Sequence, residues 1–301
     1  MAASLSRRLW VYQRERFPLA AHGPLVAAFS GGVACASAAL RGAEGPGWAA
    51  VATAVVVALG AFFQLRVADE WKDAARDAVA QPERPVPRGL VTLRELAAVA
   101  AAVAVVQVAV TVWLTPLLLG PLVLVWAFGA AMTLEFGVRD WLRDRPVVVL
   151  VSHGLIVPLI DWFAISADVL GNGAAYPDGV EWLVGVSLFG GMTVEIGRKV
   201  WAPADERPGV ESYSGRWGRG RAWAAWAFVV VASLACGVGV LLAAGAGRLV
   251  PLLAGAAVAA LAVGVWGLAS DARGAGRRIE VAAGLWTLGL YLTLGPGALW
   301  L

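Results

Sequence analysis

Charge is scarce in this sequence. Asp, Glu, Lys and Arg make up 15% of its 301 residues, while 59% are hydrophobic and the mean hydropathy is +0.72. An average soluble protein is about a quarter charged, so the composition excludes a soluble globular enzyme. Cysteine is almost missing as well. Cys35 and Cys236 lie in apolar runs without metal-ligand spacing, which leaves neither a disulfide framework nor a zinc site. The excess of 24 basic over 21 acidic residues is a formal +3, and without a basic stripe on a soluble surface it argues against a nucleic-acid partner. Neither a soluble domain nor a low-complexity linker is visible, and one integral-membrane domain is expected to occupy residues 1–301.

Long apolar runs are what the sequence does have. Nine stretches approach the roughly 20 residues that a helix needs to cross a bilayer. They fall at about 20–40, 47–67, 95–114, 117–136, 147–166, 181–200, 222–245, 249–270 and 280–300. The connections after the third and seventh stretches are very short and predict antiparallel hairpins. The leading segment MAASLSRRLWVYQRERF has no signal-peptide core. It is expected to be retained as an amphipathic or interfacial lead, with Trp10 and Tyr12 near the headgroups.

The few charges are unevenly placed. If the N-terminus is cytoplasmic, 22 of the 24 basic residues fall on inner segments, and only Arg41 and Arg248 fall outside. This lopsidedness is what the positive-inside rule predicts for nine spans with the N-terminus in and the C-terminus out. The expected location is the plasma membrane.

Two inner segments concentrate acids and bases. In the first, LRVADEWKDAARDAVAQPERPVPRGL, Asp69, Asp73 and Asp77 recur every four residues and share a stripe on a continuing helix. A solvated helix end, laced by pairs with Arg66, Lys72 and Arg76, is one reading. The other follows from position: the stripe continues an apolar span, where carboxylates are costly unless they hold a cation or pair with bases. Oxygen-only ligation suits Mg²⁺, which keeps waters and shares substrate phosphates; metal and bases together would hold a diphosphate. The second segment, Gly191 to Arg221, mixes Glu195, Arg198, Lys199, Asp205, Glu206 and Arg207 in the same way. It reads as the other half of such a site or as an ordinary basic loop. The only two lysines, Lys72 and Lys199, fall one in each segment.

At these two segments the chain resembles the UbiA superfamily of intramembrane prenyltransferases. The family's first motif, N-D-x-x-D-x-x-x-D, is met by DEWKDAARD with Asp69 at the Asn position, Glu70 at the first Asp, and Asp73 and Asp77 at the next two. An Arg-Pro element, Arg84–Pro85, follows as it does in the family. The second motif, D-x-x-Y-x-x-x-D-x-x-x-D, is matched by Glu195, Arg198, Ala202 and Glu206, acidic at its two ends only. The resemblance implies an all-α polytopic membrane protein with nine transmembrane helices around a central cavity. It also implies a Mg²⁺-dependent enzyme that ionises an allylic prenyl diphosphate and passes the prenyl group to an aromatic or lipophilic acceptor. Asp69, Asp73, Asp77, Glu195 and Glu206 would bind the metal. Arg66, Lys72, Arg84, Arg198 and Lys199 would grip the diphosphate.

Glu135, His153 and Asp161 are ionisable residues within the apolar spans. Intramembrane ionisable groups are functional candidates by default, and Asp161 is placed to orient an acceptor or take a proton. Simple hydrogen bonding between helices accounts for Glu135 and Asp161 equally well. A terpene cyclase on the same scaffold is the alternative within the enzyme class, and a transporter is the alternative outside it. Against a transporter, the acidic residues gather at one face and not at the midplane, where coupling sites usually lie.

Overall fold

The computed structural model describes residues 4–206 and 210–300, so Arg207 lies outside the described residues. Among these every regular element is helical. A first helix, α1 (Leu5–Arg16), precedes nine helices long and apolar enough to cross a membrane. These are α2 (Leu19–Leu40), α3 (Trp48–Lys72), α4 (Leu93–Leu114), α5 (Pro116–Thr133), α6 (Pro146–Gly171), α7 (Val180–Gly197), α8 (Arg219–Ala243), α9 (Gly247–Leu268) and α10 (Gly276–Trp300).

Local chemistry marks their ends. Thr92 and Glu95 close a capping box that starts α4, satisfying two backbone N–H groups that the first turn leaves without partners. Thr115 is extended ahead of Pro116, which makes the α4–α5 turn a single residue. Gly245, at φ +70°, turns α8 into α9. Both short connections form the hairpins the spacing predicts.

Packing sorts the helices into two shells. α2, α3, α6, α7 and α10 surround the interior, while α4, α5, α8 and α9 pack on the outside. Without water to exclude between them, membrane helices rely on close backbone approach. α2 meets α10 at Gly32, where a Cβ would lie 2.9 Å from the carbonyl oxygen of Tyr291. At the end of the bundle away from Asp69, Arg41 makes two hydrogen bonds, 2.6 and 3.0 Å, to the buried carboxylate of Asp168 and ties α2 to α6.

α1 is clamped to the bundle and does not lie free at its edge. Arg8 reaches Glu95 (2.5 Å), Arg16 reaches Glu70 (2.7 Å) and Glu15 accepts from Arg88 (2.8 Å). Trp10 faces outward, as an interfacial residue would, but Tyr12 is buried against Val67, Val91 and Leu96. Burial, with the charge of Glu70 second, pushes the Tyr12 phenol well above its ordinary range.

Candidate active site

The interior holds a cavity of about 400 Å³ between α2, α3, α6, α7 and α10. Its wall is apolar along most of its length, with Phe29, Phe62 and Tyr291 in aromatic contact (ring centroids 4.8 and 6.1 Å apart). Arg66 and Asp69 line it too. They lie there because α3 outlasts its apolar run: the helix continues to Lys72, and residues 66 and 69 stay on the face that Phe62 and Leu65 present to the cavity.

The expected stripe of three aspartates divides at Asp73, where α3 ends and a short helix, Ala74–Ala80, begins. Asp69 remains half-exposed, with the Arg66 guanidinium 3.6 Å away. Asp73 pairs with Arg76 at 3.0 Å. Asp77 turns inward, is buried, and is ion-paired with Arg84. The Arg84 guanidinium thus folds the turn after Pro82 back onto the short helix, and neither Asp77 nor Arg84 lines the cavity. Glu70 does not line the cavity; it is buried and accepts from Arg16.

Beyond α7, Glu195 is held by Arg198 (2.5 Å) and Lys199 (2.8 Å). The positive charge of Arg198 acts on Asp69, as do those of Arg66 and Lys72, and Asp73 is close enough to act on it as well. The two charged segments therefore converge on one end of the cavity. Lys199 sits 5.5 Å from the centre of the Tyr213 ring, a distance at which an ammonium is attracted by the ring face. Burial first, then the carboxylate of Glu195, pushes the Tyr213 phenol up to about 12. Glu206 lies deeper in the loop and accepts from Ser212 and Ser214. Asp205 accepts from the Gly274 N–H (2.7 Å) and ties the loop to the α9–α10 connection.

Glu135 and His153 do come together, and Lys72 joins them. The Lys72 ammonium is ion-paired with Glu135, whose other oxygen is 3.2 Å from His153 Nε2. Glu135 and Phe136 have positive φ, 52° and 53°, a conformation that side chains rarely adopt and that persists only where surroundings impose it. Asp161 lies apart from this group. It is completely buried and accepts from the hydroxyls of Ser187 and Tyr291 (3.1 Å for the latter). Tyr291 and Ser187 carried no signal in the sequence beyond being hydroxyls in apolar helices.

Among the described residues no three of the His, Cys, Asp and Glu side chains gather as a ligand set for a metal. A Mg²⁺ ion that keeps its waters and shares phosphate oxygens needs only one or two carboxylates. Asp69 and Asp73 fit that demand: each interacts with the other's charge and each is ion-paired with one base, Arg66 at 3.6 Å and Arg76 at 3.0 Å. Glu195 is occupied by two bases, and Asp77 and Glu206 are engaged elsewhere.

The comparison with curated proteins returns no match. A solved structure described as digeranylgeranylglyceryl phosphate synthase in membranes aligns with a TM-score of 0.66 at 15% identity. The alignment covers 98% of this chain and 100% of the other. The model of the UbiA prenyltransferase family matches residues 30–288. The nine-helix bundle, its central cavity and that match agree, and the chain belongs to the UbiA prenyltransferase family.

Proposed function

We propose that the protein ionises an allylic prenyl diphosphate at the charged end of the central cavity and transfers the prenyl group to a lipophilic acceptor. One observation carries this reading: Arg66 and Asp69 close one end of a cavity whose remaining wall, His22 and Thr287 apart, is apolar and aromatic. That pairing of surfaces matches an amphiphile with a polyanionic head and an isoprenoid tail.

The division of labour follows from the charges. Ionisation leaves negative charge on pyrophosphate, and fixed cations in a site shielded from bulk water stabilise it more than solvent would. Arg66, Arg198, Lys72 and Lys199 are the cations around Asp69 and Glu195. Mg²⁺, when held by Asp69 and Asp73 with the diphosphate, supplies further charge neutralisation for the leaving group. Phe29 and Phe62 accommodate the tail and keep water from the cation. Arg84, Asp77 and Glu206 shape the two loops.

The charged end is the cytoplasmic end in this reading. That orientation rests on the placement of the bases, 22 of 24 of which fall on this face.

The test uses the full chain in lipid nanodiscs with Mg²⁺ and allylic diphosphates of ten, fifteen and twenty carbons. Pyrophosphate release that Asp69→Asn lowers at least a hundredfold supports the reading; no release from any chain length rejects it. Hydrocarbon formed without acceptor would assign the same site to cyclisation.

A further inference from the structure

A second compartment of about 510 Å³ lies under α1, between that helix, α3 and α4. Trp10 and Val106 line it and are exposed, so it opens outward as a groove. Phe17 separates it from the central cavity. That ring lines both spaces, stacks on His22 with centroids 4.8 Å apart, and meets Phe63 edge-on at 5.7 Å.

The length of the groove fits one leaflet. It follows α4 from Leu96, packed beside Tyr12 of α1, to Val106 and Gln107. Ten residues at 1.5 Å make about 15 Å, half of a hydrocarbon core of about 30 Å. Gln107, at the foot, already bonds Val57 and Gln64, and the rest of that end is apolar. One acyl chain descending from headgroup level suits such a slot.

The rim at α1 has a different chemistry. Gln13 accepts from the Leu19 N–H (2.9 Å) through Oε1, and its Nε2 has no acceptor among the described residues. The buried hydroxyl of Tyr12, which also lines the groove, has no partner among them either. Arg7 and Arg14 are two turns apart and flank Trp10 at three and four residues, so the three share one edge of α1. Both arginines are exposed, and neither has a carboxylate partner among the described residues. Arg8 and Arg16, by contrast, are turned to the bundle and paired with Glu95 and Glu70.

We propose that the groove seats one anionic phospholipid, with an acyl chain along α4 and the phosphate at Arg7 and Arg14. Bases at the membrane surface attract anionic headgroups, whereas a zwitterionic lipid carries its own cation beside the phosphate. A prenyl diphosphate suits the groove less, because no carboxylate lines it to share a Mg²⁺ with the phosphates. The bound lipid packs α1 against α3 and α4 beside the Arg16–Glu70 pair. The site is separate from the diphosphate site and does not depend on the reaction proposed there.

The test measures lipid retention by the full chain. Protein in a mild detergent is mixed with dioleoyl phosphatidylglycerol or dioleoyl phosphatidylcholine and analysed by native mass spectrometry. The native protein is expected to retain one phosphatidylglycerol at least fivefold more than phosphatidylcholine. Arg7→Gln with Arg14→Gln should abolish that preference. Arg273→Gln with Arg277→Gln, which removes two exposed bases at the α9–α10 connection, should keep it within twofold. Val106→Trp fills the groove with both bases in place and should lower retention at least fivefold. Equal retention of the two lipids by the native protein overturns the proposal. So does an equal loss in the two arginine pairs, which assigns the preference to general surface charge. Unchanged retention in Val106→Trp also overturns it. Displacement of phosphatidylglycerol by an equimolar amount of farnesyl diphosphate overturns it as well, and makes the groove a seat for the prenyl substrate.

Discussion

Lys72, the last residue of α3, is ion-paired with Glu135, where the chain leaves α5 in a left-handed turn. The pair holds an ammonium of the first charged segment against a strained turn from another helix, with His153 on the second carboxylate oxygen. A strained, charged and partly buried turn paired to the first charged segment is a place where geometry has been kept at the expense of backbone ease.

If the pair positions Lys72 for the diphosphate, Glu135→Gln and Lys72→Met should each raise KM for the prenyl diphosphate about threefold to tenfold with kcat within twofold. The double variant should be no worse than either single one, because coupled residues do not add. Steady-state kinetics on the four proteins measures this, and additive losses would show that the two side chains act separately.

Glu70 should behave as a structural residue. Its buried carboxylate holds Arg16 of α1, and removing one partner of a buried pair leaves an uncompensated charge worth about 3 kcal/mol. Glu70→Ala should lower the thermal unfolding midpoint. At a temperature where the variant remains folded, it should keep at least half of the pyrophosphate release that Asp69→Asn loses.

Cavity width at Gly190 should set prenyl length. A Cβ there meets its nearest neighbours at 3.7–3.8 Å, an ordinary contact, so a side chain can be added and will grow into the cavity. Gly190→Leu should lower kcat/KM for the twenty-carbon diphosphate at least tenfold and leave the ten-carbon substrate within threefold, measured by pyrophosphate release.

The buried Tyr213 phenol predicts alkaline sensitivity. Its pKa is raised to about 12 from about 10, so the folded state holds the proton more tightly than the unfolded state. That contribution to stability is complete below pH 10 and is lost as pH rises toward 12. Thermal midpoints measured at pH 9, 10 and 11 should fall, and Tyr213→Phe should fall less.

The spans were legible because hydropathy is a local property. The stretch expected at 181–200 is observed as Val180–Gly197, and the one at 95–114 as Leu93–Leu114. The apolar stretch at 47–67 lies within a longer helix that continues to Lys72, because backbone hydrogen bonding does not stop where apolar side chains do. The site was legible only in part. Spacing put Asp69, Asp73 and Asp77 on one stripe, but their directions depend on partners that spacing does not contain. Arg84 draws Asp77 inward, and Arg16, 54 residues from Glu70, draws that carboxylate the other way. Tyr291 lies 130 residues from Asp161, and nothing local marks it.

Asp69 carries the central claim, since it joins the charged segments to the cavity. The most direct measurement is pyrophosphate release from farnesyl diphosphate with the native protein and with Asp69→Asn. The account predicts release by the native protein and a loss of at least a hundredfold in the variant. Equal release by both would contradict it.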